Sequence, residues 1–268
     1  MVLLPFYILA AAIDIGICLS AGYTGWMLAL MLVLLYIASF AGLLLLYVII
    51  AGIITLPVDK RREQEHVSPF HRALVLCTVS IINAICRVRI HTEGFEKIPE
   101  GRWLYVSNHR SGFDALTACW ALRKYGAAFI MKPGILKIPI AGRALHKACF
   151  LSIDRENDRE ALKTIIKATQ LIKNDEASIA VYPEGTRNPE GKGLLPFRNG
   201  VFKIAQRAGV PVVVATVKNS EKVLRNFPWR HTDVYLKVCR VISPEEMKGL
   251  KTNDIGDEAR KCMMLDGC

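Results

Sequence analysis

The stretch Asn108-His109-Arg110-Ser111-Gly112-Phe113-Asp114 sets an imidazole five residues before a carboxylate. A neutral imidazole is the side chain best suited to act as a general base near pH 7. A carboxylate beside it fixes its tautomer and stabilises the imidazolium that forms. Such a pair can activate an alcohol. Taken alone, the same spacing also fits an aspartate that caps a helix beside a surface histidine. Farther along, Tyr182-Pro183-Glu184-Gly185-Thr186-Arg187 joins a glycine that allows close backbone approach to an arginine able to grip phosphate through two parallel hydrogen bonds. Its alternative is a surface turn with an internal Glu-Arg pair.

These groups need elements to hold them. Trp103 to Ser107 is an aromatic and branched run typical of a strand, and Gly112 permits a tight turn after it. A helix beginning just past His109 would put Asp114 about one turn on, able to fold back to the ring. Arg87 to His91, Ser178 to Tyr182, Val210 to Val217 and Val234 to Val241 also read as strands. Between them, Glu160 to Lys173 carries Ala161, Leu162, Ile165, Ile166 and Ile172 at helical spacing, with Asn157 or Asp158 as its cap. Phe197 to Ala208 reads as a second helix stopped by Gly209. The alternation predicts an α/β domain, a mixed sheet covered by helices. His66 to Cys86 contains an apolar stretch, Ala73 to Ile85, too short to span a bilayer, which is either a core helix or an interfacial one.

The charge pattern divides the chain sharply. From Met1 to Val58 the only charged side chain is Asp14, whereas Lys, Arg, Asp and Glu abound from Asp59 onward. Trp26 to Leu56 exceeds the roughly 20 apolar residues needed to cross a bilayer, and Val2 to Ser20 is about spanning length. Ala21 to Gly25 forms a natural bend between them. Residues 1–58 are therefore expected to make a two-helix transmembrane hairpin with both ends on one side. Lys60, Arg61 and Arg62 follow the second run and favour the cytoplasmic side, so 59–268 is expected to be a cytoplasmic domain of an integral membrane protein. A cleaved signal peptide fits less well, because its basic first region is missing and the apolar stretch continues past any cleavage site.

The chain has 35 Lys plus Arg against 24 Asp plus Glu and a formal charge of +11. Beside a membrane anchor, that excess points to lipid headgroups and phosphorylated substrates; no zinc finger or RNA-binding signature argues for nucleic acid. The eight cysteines lack a C-x-x-C pair, and His146 with Cys149 lacks a second ligand pair, so no metal is expected and the thiols read as reduced and structural. Gly185 to Gly193 is not a P-loop: Gly185 and Gly191 are one residue too far apart, and Gly193 replaces the required Ser or Thr. No G-x-S-x-G offers a serine nucleophile, and no Gly-x-Gly-x-x-Gly follows a strand.

Four ordered blocks between Trp103 and Val217 resemble the glycerolipid acyltransferase family, in particular its 1-acyl-sn-glycerol-3-phosphate acyltransferases. Asn108-His109 with Asp114 is similar to the family's catalytic motif, and Tyr182 to Arg187 to its acceptor-phosphate motif. Lys132 with Pro139 and Gly142, then Ile153-Asp154-Arg155, agree in order between them. The resemblance implies His109 as base and Asp114 as its partner, with Glu184, Gly185, Thr186 and Arg187 holding the acceptor and Lys132 and Arg155 as further phosphate contacts. It also implies a lysophospholipid acceptor, an acyl thioester donor on coenzyme A or a carrier protein as co-substrate, and no cofactor. Two positions depart from the family pattern. The strand Val210-Pro211-Val212-Val213-Val214 lacks a second proline, and Ser152 stands where a large apolar residue is common. Both departures bear on acceptor choice rather than on the base. The acceptor implied is 1-acyl-sn-glycerol 3-phosphate, with another lysophospholipid or glycerol 3-phosphate as alternatives. From other classes, a non-catalytic membrane-tethered lipid-binding protein has no need of both His109 and Asp114. A phosphohydrolase lacks a clustered metal site.

Overall fold

The computed structural model describes residues 4–188 and 193–267. Gly191 and Lys192, which enter the rejected P-loop comparison, lie outside the described residues. The chain divides into two compact units, 1–58 and 59–268.

The first unit is a helical pair. Helix α1 (Leu4–Ala21) and helix α2 (Gly25–Thr55) are both long and apolar enough to cross a membrane, and they contact each other. Gly22 and Gly25 take positive φ at the bend, a conformation that side chains rarely adopt. Asp14 is buried on α1 and accepts a hydrogen bond from the Ser39 hydroxyl of α2 at 2.7 Å. Tyr7 stacks against Phe40 with ring centroids 5.1 Å apart. The one charged side chain of the pair thus faces its partner helix.

The second unit is a seven-stranded sheet with helices packed on it. In chain order its elements are α3 (Pro69–Ile85), β1 (Val88–Glu93), β2 (Leu104–Ser107), α4 (Phe113–Ala121), β3 (Ala127–Met131), α5 (Pro133–Leu136), α6 (Pro139–Lys147), β4 (Leu151–Ser152) and α7 (Asp158–Lys173). There follow β5 (Ser178–Val181), α8 (Lys203–Ala208), β6 (Val212–Lys218), α9 (Val223–Asn226), β7 (Thr232–Ile242) and α10 (Thr252–Leu265). The strand order is β1-β7-β6-β2-β5-β3-β4. Strands β6, β2, β5, β3 and β4 run parallel, and β7 is antiparallel to β6 while β1 is parallel to β7. The sheet is mixed, as the alternation of strand and helix patterns predicts.

The central strands are buried on both faces. Leu104, Tyr105 and Val106 of β2, Ile179 and Ala180 of β5, and Val212, Val213 and Val214 of β6 are fully enclosed. Such strands read as continuous apolar runs because helices cover both faces of a parallel sheet. Helix α7 starts where expected, with the Asn157 side chain accepting from the N–H groups of Arg159 and Glu160. Helix α3 sets Val75 and Val79 into the main core, which decides the open reading of that segment in favour of a core helix. The segment Phe197 to Ala208 is not one helix. Its start, Asn199–Phe202, is a tighter 3-10 turn, and only Lys203–Ala208 is α-helical before Gly209 ends it in the left-handed conformation. Asn199 and Gly200 are weak helix formers, which accounts for the irregular entry.

Candidate active site

Parallel strands put all their C-terminal ends on one edge, and in open α/β sheets ligands bind along that edge. The four sequence blocks follow β2, β3, β4 and β5, so the topology delivers every one of them there.

The chain leaves β2 at Ser107, and the buried Asn108 side chain then takes over from the main-chain ladder. Its amide donates to the Val217 carbonyl at 3.0 Å and accepts from the Val217 N–H at 2.7 Å. This anchors the following residue, His109, whose own N–H donates to Glu184 Oε1 at 2.7 Å. The His109 ring lies against the Tyr182 ring, with centroids 4.3 Å apart and planes 15° from parallel.

His109 Nδ1 lies 2.7 Å from Asp114 Oδ2. Asp114 is in the first turn of α4 and is 1% exposed. Its Oδ2 also accepts from the N–H groups of Arg110 and Ser111, at 2.6 and 2.8 Å, and its Oδ1 accepts from the Ser220 hydroxyl. Asp114 does not cap α4, whose N-cap Gly112 has no side-chain cap bond; its carboxylate instead ties the loop before the helix to the His109 ring. An ionised carboxylate only accepts, so Nδ1 carries the proton and Nε2 presents a lone pair. Among the described residues Nε2 has no hydrogen-bond partner. A small cavity beside the ring is lined by Asn108, Arg110, Glu184, Asn188 and Leu194.

Glu184 is buried, and its carboxylate accepts from backbone N–H groups on two segments, that of His109 on Oε1 and that of Leu195 at 3.0 Å on Oε2. Burial pushes its carboxyl above the usual range, while the two backbone donors pull it back. It makes no ion pair with Arg187 among the described residues, so Glu184 supports the loops rather than neutralising the arginine. Gly185 has φ +72°, and a Cβ built there would come within 3.1 Å of the Arg198 side chain. The Arg155 side chain lies on the same spot, and Arg198 Nη1 donates to the Arg155 carbonyl at 3.0 Å. Burial, and then the neighbouring Arg198, pull the Arg155 pKa below its ordinary value. Two guanidinium groups held together favour an anion between them. Thr186 and Arg187 follow on the exposed rim, and Arg187 has no ion pair among the described residues.

Lys132 also lies on this edge, exposed at the start of α5, with no hydrogen bond or ion pair to the other candidates. Next to it, Gly142 meets the Leu136 carbonyl so closely that any Cβ would collide with it, which closes the α5–α6 corner. Sequence reasoning missed Ser220, Tyr182 as a stacking partner, and Arg198. Ser220 stands 106 residues from Asp114, and no local pattern marks it. Arg198 follows an apolar run and reads as an ordinary surface residue.

Comparison with known proteins covers the same edge. A family model described as Acyltransferase matches residues 89–218. A 1-acyl-sn-glycerol-3-phosphate acyltransferase of Haemophilus influenzae is 29% identical over 161 residues, 60% of this chain; the match spans 65% of that relative's length, just under two thirds. One from Escherichia coli K12 is 32% identical over 205 residues, covering 76% of this chain and 80% of the relative. A crystal structure of the 1-acyl-sn-glycerophosphate (LPA) acyltransferase PlsC from Thermotoga maritima superposes with a TM-score of 0.57. At 20% identity it covers 83% of this chain and 90% of its own, and it bears on the fold alone. The identity to the E. coli relative over most of its length, together with a family match centred on the His109 edge, shows that the chain belongs to the acyltransferase family.

Proposed function

We propose that the protein transfers a fatty acyl group from an acyl thioester to the free hydroxyl of 1-acyl-sn-glycerol 3-phosphate, forming phosphatidate. The observation that carries this reading is the His109–Asp114 contact at 2.7 Å, with Nε2 unpartnered among the described residues, on the edge that also bears Arg155 and Arg187.

The acceptor hydroxyl donates to His109 Nε2 and loses its proton as its oxygen attacks the thioester carbonyl. Asp114 balances the imidazolium that forms. The tetrahedral adduct collapses, the C–S bond breaks, and the imidazolium returns its proton to the leaving thiolate. No enzyme nucleophile is required, because a thioester is already activated. In this reading Arg155 and Arg187 hold the acceptor phosphate, with Lys132 as an outer cation. Gly185 and Thr186 shape the approach, and Glu184 fixes the backbone of His109. In this reading residues 1–58 anchor the chain as a transmembrane hairpin and 59–268 form the cytoplasmic catalytic domain, so that both lipid substrates arrive through the bilayer. The donor is carried by coenzyme A or a carrier protein.

The test is thiol release by the purified protein with one acyl donor and a panel of acceptors. The expected outcome is fastest release with 1-acyl-sn-glycerol 3-phosphate. Preference for another lysophospholipid or for glycerol 3-phosphate would reassign the acceptor, phosphate release without thiol would mark a hydrolase, and neither product would leave a binding protein.

A further inference from the structure

The segment Lys222 to His231 contains Lys222, Arg225 and Arg230 and no acidic residue. It presents Leu224, Phe227 and Trp229 to solvent at 70, 40 and 85% exposure. These side chains are held on an ordered base. The Arg230 N–H donates to the Asn226 carbonyl at 2.8 Å, and the Asn226 amide donates to Thr232 Oγ1 at 2.9 Å. Arg87 Nη1 lies 3.3 Å from the Pro228 carbonyl, which sets a further cation beside Trp229.

The place of this patch in the sheet gives it meaning. Strand β7 is antiparallel to β6 and β1 is parallel to β7, so the starts of β7 and β1 lie on the same edge as the C-terminal end of β6. The patch therefore shares an edge with His109, and it follows directly from the turn whose Ser220 bonds Asp114. On the β3 side of the same edge, the α5–α6 corner exposes Ile135 and Ile138 at 40 and 50%, beside Lys137. Two apolar and basic spots thus flank the candidate dyad along one edge. A partner that meets both must be extended, anionic at its surface and apolar just beneath. An exposed tryptophan in a segment that also carries arginine is suited to that boundary, because its ring sits at headgroup level while cations meet anionic lipid.

We infer that the Leu224, Phe227 and Trp229 surface docks the α/β unit onto an anionic phospholipid bilayer, turning the His109 edge toward the headgroups. The inference goes beyond acyl transfer, and its test does not depend on turnover. The full chain is reconstituted into phosphatidylcholine–phosphatidylglycerol vesicles, and the emission of Trp229→Phe protein is subtracted from that of the unaltered protein to isolate Trp229. Acyl chains carrying bromine should quench the Trp229 component. Replacing phosphatidylglycerol with phosphatidylcholine should weaken that quenching, and so should Arg225→Ser combined with Arg230→Ser. A water-like Trp229 component indifferent to bromine overturns the inference. A blue-shifted component that bromine leaves unquenched also overturns it, assigning the patch to a protein contact instead. A chain that docks but transfers no acyl group would refute the proposed function and leave the docking surface standing.

Discussion

Asp114 serves four donors at once: the His109 ring, the N–H groups of Arg110 and Ser111, and the Ser220 hydroxyl. The carboxylate therefore holds the loop and the imidazole in a single geometry, and Ser220 acts as a positioning residue behind it. The His109 side chain, by contrast, is tied to the fold only through its bond to Asp114 and its stacking on Tyr182. The His109→Ala variant should lower kcat by ~10²–10⁴-fold. Its far-ultraviolet circular dichroism should match that of the unaltered protein, and full activity in that variant would remove the base assignment. Arg187 is exposed and unpaired among the described residues, so its loss disturbs little structure. Arg187→Ala should chiefly raise the acceptor KM and leave kcat close to its starting value, because a phosphate contact made before and during the reaction is uniform binding. Unchanged acceptor saturation would remove Arg187 from the clamp. The histidine and its carboxylate partner are legible in sequence because they lie within one turn. Ser220 and Arg198 are not, because only the sheet brings them to the site.

At the scale of elements, the loop after β5 depends on Gly185, which combines a positive φ with close packing against Arg198 and Arg155. The left-handed conformation costs a residue with a side chain about 1–2 kcal/mol, and the added methyl must also move Arg198. Gly185→Ala should therefore raise acceptor KM while sparing donor KM, and a fall in donor affinity alone would contradict the placement. Another element-level tie joins the segment before α3 to the turn after α7. His66 Nδ1 lies 2.6 Å from Glu176 Oε1, and the Val67 N–H donates to Glu176 Oε2 at 2.9 Å. The hydrogen bond and charge of Glu176 raise the His66 pKa, and His66 and the Val67 N–H lower that of Glu176. The His66 contribution is complete below its unfolded pKa and fades as pH rises through the raised folded value. The Glu176 contribution is present above its unfolded pKa and fades as pH falls through the depressed one. An NMR titration should find His66 titrating above an ordinary histidine, and Glu176→Gln should return it to that range. Strands legible as branched runs, such as β5 and β6, are found close to their expected bounds. Strand β3 escaped notice because Ala127 and Ala128 carry no β preference, and it forms a strand by pairing with β5 inside the core.

For the whole molecule, the N-terminal pair and the α/β unit make different demands on their surroundings. Helices α1 and α2 expose many large apolar side chains, including Ile8, Leu19, Leu45 and Ile53, which water does not solvate favourably. The protein should stay with the membrane fraction through an alkaline carbonate wash and leave it in detergent. Release by carbonate alone would contradict a spanning hairpin. The division between a segment ending at Val58 whose only charged side chain is Asp14 and a charge-rich remainder can be read directly from composition, since a bilayer selects residues one by one for their apolarity. The candidate base, its carboxylate partner and the arginine proposed to bind phosphate are likewise readable, because the chemistry proposed for them belongs to residue types at short spacing. What required the fold was their assembly: motifs after β2, β3, β4 and β5 meet because parallel strands end on one edge. The third partner of the dyad and the paired arginines beside Gly185 arise from contacts between distant segments, as does the Arg87 that joins the patch around Trp229. No local pattern specifies them, because strand order is set by packing the whole chain around one core.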